Sequence, residues 1–180
     1  MGKKAVRKTS EWDKFSHYFK RLEVPAKTVL LKEGQVSRTM FFIEEGCLRT
    51  WANSDGKEIT TQFFFEGDSV SSIESFRTNQ PSLYSIESLE PCILQTITQK
   101  EFKETVTDSP ELGEEIEKHL FKRLFEAQQF LYSYLKNSPQ KRYEELIKQQ
   151  PEILRRIPQH YIASYLGITS VSLSRIRNRR

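Results

Sequence analysis

The chain has 180 residues, 37% of them hydrophobic and 12% aromatic, enough for a packed core in one large domain or two small ones. Charged residues make up 29%, and no apolar run approaches the roughly 20 residues that span a bilayer, so a membrane-spanning protein is not expected. The formal net charge is +4, and it is unevenly placed. Within 151–180 stand Arg155, Arg156, Arg175, Arg177, Arg179 and Arg180 against the single acid Glu152, while 1–150 is close to neutral. A localised basic patch is the electrostatic footprint of nucleic-acid binding. A solvated surface face does not predict such segregation.

The N-terminus, Met1-Gly2-Lys3-Lys4-Ala5-Val6-Arg7-Lys8, is basic but has no apolar stretch behind it, so no signal peptide is expected. Cys47 and Cys92 therefore read as reduced thiols of a cytoplasmic protein, buried in strands rather than forming a redox switch or metal pair. Residues 1–8 read as a disordered tail. Trp12, Phe15, Phe19 and Leu22 follow at helical intervals, which predicts an amphipathic helix with Ser10 as its N-cap.

From Val24 the texture changes. Val29-Leu30-Leu31, Met40 to Ile43, Cys47 to Trp51, Ile59 to Phe65, Leu83 to Leu89 and Ile93 to Ile97 are short runs rich in β-branched and aromatic residues. Gly34, Gly46, Gly56 and Gly67 punctuate them at the rhythm of an antiparallel roll, and Asn53-Ser54-Asp55-Gly56 is a hairpin turn signal. After Pro110 the period becomes helical. Ile116, Leu120, Leu124, Ala127, Leu131 and Tyr134 form a coiled-coil-like stripe, with Phe121, Phe125 and Tyr132 in a second stripe beside it. The first stripe is assigned to a twin helix in a homodimer and the second to the β-roll. A helix buried within a monomer is the alternative, but no other long helix is at hand to receive it. Asn137-Ser138-Pro139 ends this helix and caps another over 140–149. The organisation expected is α+β: an N-terminal helix and antiparallel β-roll over 1–109, a dimerisation helix over 110–137, and a helix-turn-helix over 138–180.

The last stretch reads as two short helices around a sharp turn. Pro158 suits the first helical position, Ile162 and Leu166 make an apolar face, Ala163 permits close approach, and Gly167 ends the helix. Thr169 is an N-cap for a second helix whose Leu173 and Ile176 return to the same core. Ser170, Val171, Ser172, Ser174, Arg175, Arg177 and Arg179 remain outward, as a DNA-reading helix requires. An ordinary helical hairpin with solvated arginines is the plainer alternative.

Catalysis finds little support, and no catalytic residue, metal site or cofactor is assigned. His17, His119 and His160 all fall on predicted helices, none in the roll, so the ligand set of a metal-binding β-roll enzyme is missing. There is no phosphate-binding glycine loop and no serine nucleophile motif.

The order helix, β-roll, long helix, helix-turn-helix resembles the Crp/Fnr superfamily of bacterial transcription regulators. Lys32-Glu33-Gly34-Gln35, Phe42 to Gly46, Asp55-Gly56-Lys57-Glu58, Phe65-Glu66-Gly67-Asp68 and Ile162 to Thr169 carry the resemblance. The stretches Ile157-Pro158-Gln159 and Ser172 to Arg177 look like a subgroup common in Bacteroidetes-type bacteria. The resemblance implies a roll that senses a small effector, a homodimer that binds double-stranded DNA, and a contact with RNA polymerase. The family's Gly-Glu ribose pair falls on Ser71-Ser72, and its Arg-Ser phosphate pair falls near Pro81 to Ser85, which holds no cation. The implied effector pocket is lined by Ser71, Ser72, Arg77, Ser82, Tyr84 and Ser85, with Arg77 either reaching an anion from a displaced position or lying in a surface loop. A phosphate buried without a charged partner is costly, so an effector other than cyclic AMP is expected. No cysteine cluster for an iron–sulfur centre or roll histidine for haem is present either.

By the same resemblance the base-contacting positions fall on Ser170, Val171 and Arg175, with Thr169, Ser172, Arg177 and Arg179 on phosphates. The sequence stops at Arg180, just after this helix, where many members of the family continue; either the subgroup is short or the sequence is trimmed. A ligand-binding or protein-interaction module of the same fold, without specific DNA binding, is the alternative function.

Overall fold

The computed structural model describes residues 17–178. The expected N-terminal tail, Ser10 cap, Trp12 and Phe15 lie outside those residues. The contacts divide the chain into two compact units: residues up to Ala52 with Gln62–Glu115, and Asn53–Thr61 with the residues from Ile116 onward.

The first unit is an antiparallel roll. Its strands belong to two four-stranded sheets, β1(Lys20–Val24)-β8(Cys92–Thr98)-β3(Thr39–Glu45)-β6(Ser69–Val70) and β2(Val29–Leu31)-β7(Ser85–Ser88)-β4(Leu48–Ser54)-β5(Lys57–Phe64). One core cluster draws from both sheets: Leu31, Phe41, Ile43, Leu48, Phe64, Val70, Ile86, Cys92 and Leu94 are all buried. Alternation explains most of it. In β4, Leu48 and Thr50 sit opposite Ser88 and Ile86, while Arg49 and Trp51 sit opposite Glu87 and Ser85 on the other face. Strand β3 is covered on both faces, since Met40, Phe41, Phe42 and Ile43 are all buried and Phe19 stacks on Phe42 with ring centroids 4.5 Å apart. Cys47 and Cys92 are buried free thiols.

The predicted helix through Leu22 is not what forms. Lys20–Val24 is a strand, paired residue by residue with β8 from Lys20↔Thr96 to Val24↔Cys92. Spacing of three and four over so short a window does not distinguish helix from strand, and β8 offers a partner for the backbone groups along one edge of this segment. Two helices within the first unit escape the apolar patterns altogether. Helix α1(Ile73–Thr78) sets Phe76 edge-on to Phe102 of α2(Gln99–Asp108), with centroids 5.5 Å apart. Helix α2 starts with a capping box: Thr98 accepts from the Glu101 N–H, and Glu101 accepts from the Thr98 N–H. Lys20 lies 2.6 Å from Glu101, and these hydrogen bonds to Lys20 and Thr98 pull its carboxyl down to about 2.

The second unit gathers helices. The long helix α3(Pro110–Lys136) contributes its part from Ile116, followed by α4(Pro139–Gln149), α5(Ile153–Arg156), α6(Gln159–Tyr165) and α7(Ser170–Asn178). Ser138 caps α4 by accepting from the Lys141 N–H at 3.3 Å. Pro158 stands one place before its expected position, as the cap residue of α6. The core is Tyr143, Leu146, Ile153, Ile157, Ile162, Ala163, Leu166 and Leu173, all buried. Arg142 ties the helix ends together. Its guanidinium donates to Tyr134 O at 3.3 Å, Asn137 O at 3.0 Å and Leu166 O at 2.8 Å, and sits 4.5 Å over the Tyr134 ring. The tip of the β4–β5 hairpin also belongs here. Asp55 and Gly56 both have positive φ, 52° and 79°, as the two-residue hairpin turn demands.

Candidate functional sites: the roll interior and the terminal helix pair

In the roll, the implied effector residues are gathered by their own hydrogen bonds. Ser71 and Ser72 follow β6, and Ser82, Tyr84 and Ser85 lead into β7. The Tyr84 hydroxyl donates to Ser71 O at 3.1 Å, while its ring packs on the core cluster. Ser82 Oγ donates to Tyr84 O at 2.7 Å, Ser85 Oγ accepts from Glu33 N at 2.9 Å, and Ser71 Oγ donates to Thr39 O at 3.3 Å. Ser71, Ser72, Ser82 and Ser85 are buried. The hydroxyls of Ser71, Ser82, Tyr84 and Ser85 each bond to backbone of the roll itself.

Arg77 does not join them. It is exposed in the last turn of α1, and among the described residues no hydrogen bond or ion pair engages it. Among the described residues the buried cation is Arg49, 1% exposed at its side chain. Its Nη2 lies 2.6 Å from Glu87 Oε2, its Nε donates to the same oxygen at 2.8 Å, and its guanidinium stands 5.3 Å from the Trp51 ring centroid. Sequence reasoning missed this pair. A lone cation in the alternating run Cys47 to Trp51 is the signal, but its partner is 38 residues away and known only once β4 pairs with β7. Among the described residues no group of three or more His, Cys, Asp or Glu is placed to hold a metal ion.

At the terminal pair, α6 runs into a tight turn at Gly167, φ 66°, before α7. A side chain at 167 is doubly barred there: a Cβ at that position would lie 2.7 Å from the Tyr134 hydroxyl. Thr169 Oγ1 accepts from Ser172 N at 3.1 Å and lies 3.0 Å from Ser172 Oγ, so both hydroxyls serve the start of α7. Leu173 is fully buried at 0%. Thr169, Ser170, Val171, Ser174 and Arg175 are exposed, Ser172 and Arg177 half-buried, and Arg179 lies outside the described residues. The face is polar and cationic, and it stands at a helix N-terminus, where backbone N–H groups attract phosphate.

Along α3 the expected stripe divides. Leu120, Leu124 and Leu131 are exposed, as is Ala127; Ile116 is half-buried; and Tyr134 touches Arg142 and the Gly167 turn. Phe121, Phe125 and Tyr132, assigned to the roll from the sequence, are instead 49%, 55% and 64% exposed. The face that is filled runs through Arg123, Glu126, Phe130, Ser133 and Asn137: Phe130 meets Tyr165 at 4.9 Å, and Ser133 and Asn137 both donate to the Glu145 carboxylate. The first stripe is therefore largely open, as expected, whereas the assignment of the second to the roll does not hold.

The described residues thus comprise an antiparallel roll with an apolar core, a long helix, and a terminal helix pair with an exposed polar and cationic face. Residues 21–109 match the family model described as Cyclic nucleotide-binding domain. The "cAMP-activated global transcriptional regulator CRP" of Pasteurella multocida (strain Pm70) is 24% identical over 117 residues, 64% of this chain and 55% of that protein. The "Pycsar effector protein XpPycTIR" of Xanthomonas perforans is 29% identical over 105 residues, 58% of this chain and 33% of that protein. The chain therefore spans about a third and just over half of the length of these two curated relatives. Among solved structures, a CooA mutant from Carboxydothermus hydrogenoformans superposes with a TM-score of 0.73 at 17% identity, covering 95% of this chain and 80% of that one. Residues 21–109 thus resemble a cyclic nucleotide-binding domain, and the fold is similar to that of the CooA structure.

Proposed function

We propose that this chain is a homodimeric, sequence-specific DNA-binding transcription regulator of the cytoplasm, with a β-roll that senses a small effector other than cyclic AMP. The observation that carries the reading is α7: Leu173 is buried at 0% while Ser170, Val171, Ser174 and Arg175 stand together in the open. Arg175 reads a guanine through its two-pronged donor face, and Thr169, Ser172, Arg177 and Arg179 hold phosphates. A second copy covers the exposed apolar face of α3, where Leu124 is 50%, Phe125 55% and Leu135 71% exposed. Exposed large apolar side chains along one helix support this reading. Dimerisation places two copies of α7 about one DNA turn apart on a pseudo-palindromic site, where the regulator contacts RNA polymerase.

The roll's own chemistry supports a non-cyclic-AMP effector. Pro81 to Ser85 carries no cation, Arg77 stands apart, and Arg49 is already engaged by Glu87. Among the described residues no helix is long and apolar enough to cross a membrane. The reading is tested by selecting DNA from a random pool with the purified chain and following affinity against salt. A palindromic consensus with a steep salt dependence supports it. No consensus favours the second reading, a ligand-binding or protein-interaction module, which the likeness to an effector protein keeps in view.

A further inference from the structure

Ser164 occupies the last full turn of α6, a place where serine is a poor helix former because its hydroxyl competes for backbone groups. Here that hydroxyl is spent far away in the chain. Ser164 Oγ accepts from Thr60 N at 2.9 Å and donates to Glu58 O at 2.9 Å. Thr60 and Glu58 are alternate residues of β5, and β5 is the edge strand of its sheet. An N–H and a C=O two residues apart on an edge are the pair a neighbouring strand engages. A single hydroxyl, donor and acceptor at once, meets both.

The two residues that follow are anchored as well. Tyr165 lies against Phe130 of α3 at 4.9 Å, and Leu166 O accepts from Arg142 of α4 at 2.8 Å. Ser164, Tyr165 and Leu166 thus tie one turn of helix to the hairpin tip, to α3 and to α4. Directly after them comes Gly167, from which α7 departs. The outward face of α7 is left open by all three contacts.

We propose that Ser164 is a positioning residue for DNA recognition: its hydroxyl pins the end of α6 to the β5 edge and so fixes the direction in which α7 is presented. The inference rests on the DNA-binding reading above. A dimer reading two half-sites needs both copies of α7 aimed at once, so freedom at either turn is entropy that binding must remove. The contact lies within the compact unit that contains Asn53–Thr61 and α6, and it touches no group assigned to DNA.

The test compares wild type, Ser164→Ala and Ser164→Thr, as full chains, on the site selected from random DNA. Loss of two hydrogen bonds predicts about tenfold weaker binding for Ser164→Ala. Faster hydrogen exchange at the Thr60 amide, an unchanged oligomeric state and recovery of affinity in Ser164→Thr, which keeps the hydroxyl, complete the expected result. If Ser164→Ala does not fold, Ser164→Cys, near in shape but a weak hydrogen-bonding partner, carries the same comparison. Wild-type affinity in Ser164→Ala, or the same deficit in Ser164→Thr, overturns the proposal while leaving DNA binding intact. A wild type that selects no site overturns both.

Discussion

Replacing Arg142 by alanine tests whether α3, α4 and α6 are held together by a side chain that meets three carbonyls at two helix ends. Its guanidinium donates to Leu166 O, Asn137 O and Tyr134 O at 2.8, 3.0 and 3.3 Å and lies 4.5 Å over the Tyr134 ring. A hydrogen bond to a charged group contributes about 1.5–3 kcal/mol and a cation–π contact about 0.5–2. The three bonds share one charge, the side chain is only half-buried, and alanine recovers rotamer entropy, so the contributions do not add. The expected cost is about 3 kcal/mol for Arg142→Ala. Arg142→Lys keeps the charge but loses the planar fork, and should cost about half as much. Urea denaturation followed by circular dichroism reads both, with the slope unchanged and the midpoint lowered in the order wild type, Lys, Ala. An alanine variant that unfolds at the wild-type midpoint would refute the assignment of Arg142 as the tie between α3, α4 and α6.

Three further outcomes follow from the same geometry. Glu87→Gln leaves Arg49 charged and 1% exposed, and should destabilise the roll by about 3 kcal/mol in the same denaturation assay, whereas Arg49→Met with Glu87→Leu should come out near neutral. Leu124→Lys in the open face of α3 should yield monomers by analytical ultracentrifugation; a variant that stays dimeric sinks the proposed interface. Burial pushes the Tyr165 phenol from 10.0 up to about 12, so the folded state holds that proton more tightly than the unfolded chain. Its contribution is complete below pH 10 and is lost as pH rises from 10 towards 12, about 2–3 kcal/mol in all. Tyr165→Phe should abolish this alkaline loss, and an identical pH profile in that variant contradicts it.

Much of the roll was legible because strand alternation and turn glycines are local signals. Asp55-Gly56 is the clearest case, since a two-residue turn with positive φ at both positions is written in the residues that form it. Strand β1 was not legible: its identity rests on pairing with Cys92–Thr96, about seventy residues away, and its own spacing mimicked a helix. Helix α2 did leave a signal that periodicity overlooked. Thr98-Gln99-Lys100-Glu101 is a capping box, and the capping bonds form as that motif implies. On α3 the two stripes were visible, but the face that α4 and α6 fill is a third one, set by Phe130, Ser133 and Asn137 meeting Tyr165 and Glu145.

The sites divide along the same line. The turn at Gly167, the cap at Thr169 and the buried Leu173 are local features of one short segment, and each stands where the sequence placed it. The roll interior depends on tertiary pairing. Ser71 meets the Tyr84 hydroxyl and Ser82 the Tyr84 carbonyl, yet Arg77 lies apart, and the buried cation among the described residues is Arg49, a residue made significant by its cross-strand neighbour Glu87.

The central claim, that α7 reads DNA sequence, is tested most directly by repeating the random-pool selection with Arg175→Ala. If Arg175 reads a base, the consensus keeps its palindrome but loses preference at one base per half-site, with affinity for the wild-type site lower by about 1–3 kcal/mol. Unchanged preference at every position, or uniform weakening on all sequences, contradicts base reading by Arg175 and with it the proposed orientation of α7.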